Sequence, residues 1–143
     1  MVGCVLTRIF RLMVIDSPAL VAILLDEPER REIETAIEAD QSRLVSAVTK
    51  LESNIVLLSR RGRPMMDELN LLLARIKAAI VPFDDHQADI ARDAFARYGR
   101  GRHHAALNFG DCAAYALSIA EAEPLLFKRT DFGATDVETV KFA

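Results

Sequence analysis

Short apolar runs recur along this chain at LMVI (12–15), RLVS (43–46), IVPF (80–83), PLLF (124–127) and VETV (137–140), with longer stretches of helical spacing between them. This alternation is the strongest constraint on the fold. Parallel strands cannot be joined by a tight turn, so strands that alternate with helices predict a parallel sheet covered on both faces, with right-handed crossovers. The 143 residues suit one domain, and the 51% apolar content supplies its core. The fold class is therefore α/β.

The helical stretches have distinct signatures. SPALVAILL follows Asp16 and carries Pro18 where a first helical turn tolerates proline. EPERREIETAIEAD (27–40) sets Ile33, Ala36 and Ile37 on one face and charges on the other. Residues 47–61 carry Val48, Leu51, Ile55 and Leu58 at helical spacing up to the breaker RGRP. MMDELNLLLARIKAA (65–79) repeats the pattern through Leu69, Leu72, Leu73 and Ile76. Then come DHQADIARDAFARYG, a basic loop RGRHHAAL, and a helix containing Asp111.

Several classes are excluded by what the chain carries. PALVAILL at 18–25 is its longest apolar stretch, well short of the roughly 20 residues that span a bilayer, so no membrane segment is expected. Cys4 and Cys112 form neither a disulfide framework nor a CxxC site, which predicts a reducing, cytoplasmic setting. Residues 1–12 read as an N-terminal extension, with a start codon upstream of the working one, and 13–143 as the domain. A net charge of −3 gives no global attraction to nucleic acid.

In open parallel sheets, ligands bind outside the carboxyl ends of the strands, where the strand order reverses. Asp16 directly follows the first strand, Asp131 lies just beyond the fourth, and Asp111 begins the helix feeding the fourth. Glu52 follows the second strand and shares the helical stripe of Val48, Leu51 and Ile55, where an apolar residue is expected. Each acid alone has an ordinary reading as a cap, a first-turn acid or a solvated loop residue. Together they point to a site. Crowded carboxylates need a compensating cation, and oxygen donors without histidine or cysteine favour Mg²⁺ or Mn²⁺. Such an ion activates water and takes up charge on a phosphate, so the chemistry suggested is phosphodiester hydrolysis.

These residues also fall in the pattern of a known family. MVIDSPALVAILLDEPE, SAVTKLES, GRGRHHAALNFGDCAAYALS and PLLFKRTDFGATDV, bearing Asp16, Glu52, Asp111 and Asp131 in order, resemble the four acidic segments of the PIN-domain ribonucleases of VapC type. Those proteins are the toxin halves of bacterial toxin–antitoxin pairs. The resemblance runs from about Met13 to the C-terminus. It implies a five-stranded parallel sheet in the order 3-2-1-4-5, a homodimer, and a pocket in which Asp16, Glu52, Asp111 and the more variable Asp131 hold Mg²⁺ or Mn²⁺, directly or through water. It further implies metal-activated hydrolysis of RNA, a VapB-like antitoxin that blocks the pocket, and operator DNA bound only through the toxin–antitoxin complex.

Supporting roles are expected for Ser17, Asn108 and Asp136, with Asp136 able to replace or assist Asp131. RNA phosphate contacts are expected from Arg100, Arg102, Lys128 and Arg129. His103 and His104 read as loop residues, and RRGRP (60–64) as a helix-ending turn rather than an RNA contact. One departure matters. The family usually follows its first aspartate with two small polar residues, whereas Pro18 removes the second hydroxyl and leaves Ser17 to keep one near Asp16. The alternative is thus a catalytically impaired PIN protein that acts through antitoxin binding and promoter control. A phosphatase with an aspartyl nucleophile fits less well, because Pro18 stands where its second aspartate belongs.

Overall fold

The computed structural model describes residues 12–128 and 130–140, with the side chains of Thr130 and Asp131 outside the description. The expected extension at 1–12 lies outside it too, apart from Leu12, which opens the first strand. In chain order the elements are β1 (Leu12–Ile15), α1 (Ser17–Leu24), α2 (Arg30–Ala39), β2 (Ser42–Ser46), α3 (Ala47–Arg61), α4 (Pro64–Arg75), β3 (Ala78–Val81), α5 (Asp85–Tyr98), α6 (Phe109–Glu121), β4 (Leu125–Leu126) and a 3₁₀ turn (Thr130–Ala134).

The strands form one parallel sheet in the order β3-β2-β1-β4. Successive side chains on a strand point to opposite faces, and the core divides accordingly. Met13, Ile15 and Leu126 join Leu20, Ile23, Ile33, Leu57 and Leu69 from α1 to α4, whereas Val14 and Leu125 join Tyr98, Leu107, Leu117 and Phe132 on the α5–α6 side. No helix among the described residues is long and apolar enough to cross a membrane.

Two expectations about elements are corrected. Among the described residues the sheet has four strands rather than five. VETV approaches in the expected place but forms only an isolated parallel bridge, Thr139 to Leu125, with the Val140 amide donating to the Leu125 carbonyl at 3.0 Å. β4 has two residues, which leaves little edge for a fifth strand to pair with. The helix expected to run through Ala79 ends at Arg75, because Lys77 takes the left-handed conformation (φ 54°), and Ala78 and Ala79 belong to β3.

A third correction concerns the apolar stripe of α3. Leu51 is 60% exposed, Ile55 54% and Leu58 43%, while the buried row is Thr49, Ser53 and Leu57. Small hydroxyl residues let the helix approach the core closely, and the Ser53 hydroxyl satisfies itself by donating to the Thr49 carbonyl at 2.8 Å. Glu52 is therefore not an intruder among buried aliphatics. Its side of the helix is the one that also carries Val56 and faces a cleft.

Candidate active site

The sheet order reverses at β1, with β2 and β3 to one side and β4 to the other. At the carboxyl ends of the strands by this point lies a cleft of about 170 Å³. Among the described residues its acids are Asp16, Glu27, Glu52 and Asp111, and its bases are Arg60 and Lys128. Ser17, Pro18, Asn108 and Phe132 contribute to the same walls.

Each carboxylate is fixed by a local device. Asp16 is 3% exposed and caps α1, with its Oδ1 accepting from the Ala19 amide at 3.2 Å, while its own amide donates to the Leu126 carbonyl. Asp111 closes a capping box at the start of α6. The Asn108 side chain accepts from the Asp111 amide and Asp111 Oδ2 accepts from the Asn108 amide, both at 2.9 Å. Capping and site membership are compatible here, because a carboxylate's two oxygens offer about four lone-pair positions.

Glu52 is held from across the chain. The Ser17 hydroxyl donates to Glu52 Oε1 at 2.5 Å, so the hydroxyl expected to serve Asp16 instead orients the second acid. Room for that carboxylate comes from Gly110. A Cβ built there lies 2.1 Å from Glu52 Oε2 and 2.3 Å from its Cδ. Gly110 is thus a position beside the candidate site that sequence reasoning missed, and its signal was a glycine in the first turn of an otherwise strong helical pattern. Glu27 was missed as well. It lines the cleft in an ion pair with Lys128, whose Nζ lies 2.8 Å from Glu27 Oε1 and 3.9 Å from Glu29 Oε2.

Other expected residues lie elsewhere. Asp136 does not line the cleft: it accepts from the Tyr115 hydroxyl at 2.5 Å and faces Arg97 at 3.7 Å. Burial first, and then the hydrogen bond to Asp136, hold the Tyr115 phenol well above its usual pKa. Arg100 and Arg102 are exposed on the α5–α6 loop, away from the cleft lining. His103 and His104 stack on each other, and His103 Nδ1 accepts from the Ala105 amide, which makes them loop-ordering residues. Asp131 belongs to the 3₁₀ turn beside Phe132, and Arg129 lies outside the described residues.

The cleft's donors among the described residues include carboxylate and amide oxygens and no histidine or cysteine, a set that suits a hard divalent cation. Among the described residues no three acidic, histidine or cysteine side chains converge tightly enough to enclose an ion.

Comparison with known proteins gives the same assignment. The PIN domain family model matches residues 13–138. The chain is 51% identical over 128 residues to "Ribonuclease VapC" of Mycolicibacterium smegmatis, covering 90% of this chain and 99% of the relative. It is 48% identical over 128 residues to "Ribonuclease VapC30" of Mycobacterium tuberculosis, covering 90% and 98%. Among solved structures, the Mycobacterium tuberculosis toxin VapC20, described as cleaving the sarcin–ricin loop, superposes with a TM-score of 0.73 at 11% identity, covering 87% of this chain and 95% of that one. Rickettsia felis VapBC2 bound to a promoter DNA fragment gives 0.68 at 12% identity, covering 91% and 97%. With a fold of this topology, acids gathered at its switch point, and half of its residues shared with such relatives across nearly their whole length, the chain belongs to the VapC-type ribonucleases of the PIN-domain family.

Proposed function

We propose that the protein is a metal-dependent endoribonuclease toxin, with Asp16, Glu52 and Asp111 as the principal ligands of Mg²⁺ or Mn²⁺ and Asp131 as a fourth acid. The observation that carries this reading is the meeting of three carboxylates, from the end of β1, from α3 and from α6, on one cleft at the carboxyl end of the sheet. A divalent ion bound there supplies a polarised water and offsets the charge that develops on the phosphate. The protein's own part is to keep the acids in place before substrate arrives. Asp16 is locked as a cap, Glu52 is oriented by Ser17, and Asp111 is oriented by Asn108, so little reorganisation accompanies reaction. The Lys128–Glu27 pair on the same walls keeps one ammonium at the cleft.

The partners follow from relatives. Solved neighbours include a toxin–antitoxin complex from Klebsiella pneumoniae, which supports a VapB-like antitoxin here, and the promoter-bound VapBC2 of Rickettsia felis, which supports operator DNA reached through such a complex. The exposed row Leu51, Ile55 and Leu58 on α3 supports a protein-binding surface, in a homodimer or against the antitoxin.

Pro18 favours a second reading specifically, since it lines the cleft where relatives of this type usually offer a hydroxyl. That reading is a retained site with impaired cleavage, acting through antitoxin binding. Cleavage of a structured RNA pool by wild type, Asp111→Asn and Pro18→Ser, in Mg²⁺, Mn²⁺ or EDTA, separates the two. Metal-dependent cutting lost in Asp111→Asn is the expected result. A silent wild type with an active Pro18→Ser establishes the impaired site, and cutting that persists in EDTA refutes metal dependence.

A further inference from the structure

We propose that Arg60, which the sequence places in a helix-ending turn and the structure places on the cleft, binds an RNA phosphate flanking the scissile bond, an inference that rests on the nuclease reading above. Glu52, Val56 and Arg60 are spaced four residues apart on α3, so they share one face of the helix, and all three line the cleft. At 1.5 Å per residue, the Arg60 backbone stands about 12 Å along the axis from that of Glu52, a separation that fits a phosphate neighbouring the one held at the acids.

Charge supports the assignment. Asp16, Glu27, Glu52 and Asp111 make the cleft acidic, and the chain's net charge of −3 provides no compensating field, so an RNA strand needs a local cation to enter. Two basic residues line the cleft among the described residues. Lys128 is already balanced by Glu27 and Glu29. Among the described residues Arg60 forms no ion pair, the ion-paired cations being Arg30, Arg92, Arg97 and Lys128. A bidentate guanidinium suits a phosphate, and one without a carboxylate partner breaks no ion pair to bind it.

The ordinary explanation of a basic residue in a last helical turn is the helix dipole, and it applies equally to Arg60 and Arg61. Only Arg60 reaches the cleft, which makes Arg61 the internal control.

The test is fluorescence anisotropy of a labelled single-stranded RNA oligonucleotide of mixed sequence, titrated in EDTA across a range of salt. Wild type, Arg60→Gln, Arg60→Lys and Arg61→Gln are compared, with melting temperatures to verify folding. Arg60→Gln is expected to weaken binding about 5–10-fold at low salt and to reduce the slope of log affinity against log salt by about 0.7, the value of one single-strand phosphate contact. Arg60→Lys recovers most of both, and Arg61→Gln behaves as wild type. In Mg²⁺, Arg60→Gln raises KM with kcat within about twofold, because a flanking phosphate is held equally in ground and transition states. Unchanged affinity in Arg60→Gln, an equal loss in Arg61→Gln, or a fall in kcat at constant KM each overturns the assignment. Binding in EDTA is read without turnover, so a failure of the nuclease reading shows separately, as a wild type that does not cleave.

Discussion

Gly110 and Tyr115 illustrate opposite ways in which one residue serves this molecule. Alanine at position 110 puts a methyl group where the Glu52 carboxylate now lies, and that carboxylate is the far end of a flexible side chain that can swing aside. Alanine also suits a helix better than glycine, by about 0.5–1 kcal/mol. Gly110→Ala is therefore expected to keep or slightly raise the melting temperature while lowering RNA cleavage at least tenfold, measured as metal-dependent turnover beside a thermal scan. Tyr115 acts on stability instead. Its folded pKa is raised above the ordinary 10.0, so above pH 10 the unfolded chain releases the phenol proton first. The stabilisation is fully present below pH 10 and is lost as pH rises toward the folded value. Wild-type Tm is expected to fall over this window more steeply than that of Tyr115→Phe, and parallel curves would refute the assignment.

Helix α3 carries three roles on three sides. Thr49, Ser53 and Leu57 face the core, Glu52, Val56 and Arg60 line the cleft, and Leu51, Ile55 and Leu58 are exposed. A row of aliphatics about half exposed contributes little to the isolated fold but stabilises an assembly that covers it. The double variant Leu51→Glu/Ile55→Glu is expected to change unfolding free energy by less than about 0.5 kcal/mol, as surface changes usually do. It should abolish self-association in light scattering if this row is the dimer surface. An unchanged mass would exclude this row as a self-association surface.

Across the whole molecule, the site joins parts of the chain that are far apart in sequence. Ser17 reaches Glu52, α6 brings Asp111 to the same cleft, and Lys128 after β4 ties back to the turn between α1 and α2. Any ion that prefers the assembled site thus stabilises the native state by mass action. An ion at 100 times its dissociation constant contributes about 2.7 kcal/mol. Mn²⁺ or Mg²⁺ is expected to raise the wild-type Tm by several degrees and Asp111→Asn by markedly less. An equal rise in both would remove Asp111 from the ligand set.

The sequence by itself determined the α/β class, the parallel sheet and the three acids that meet, because these depend on local periodicity and on the rule that parallel strands present their carboxyl ends together. Asp16 after LMVI and Asp111 after Asn108 were legible as caps and as site candidates at once. Only the tertiary structure decided which acid Ser17 serves, that Gly110 clears space for Glu52, that Asp136 goes to Tyr115 and Arg97, and which face of α3 is buried. Helical spacing gives the direction of an apolar row but not what stands opposite it. Thr49 and Ser53 occupy the buried row because α3 packs closely there, and that choice is made by neighbouring elements rather than by the helix's own pattern.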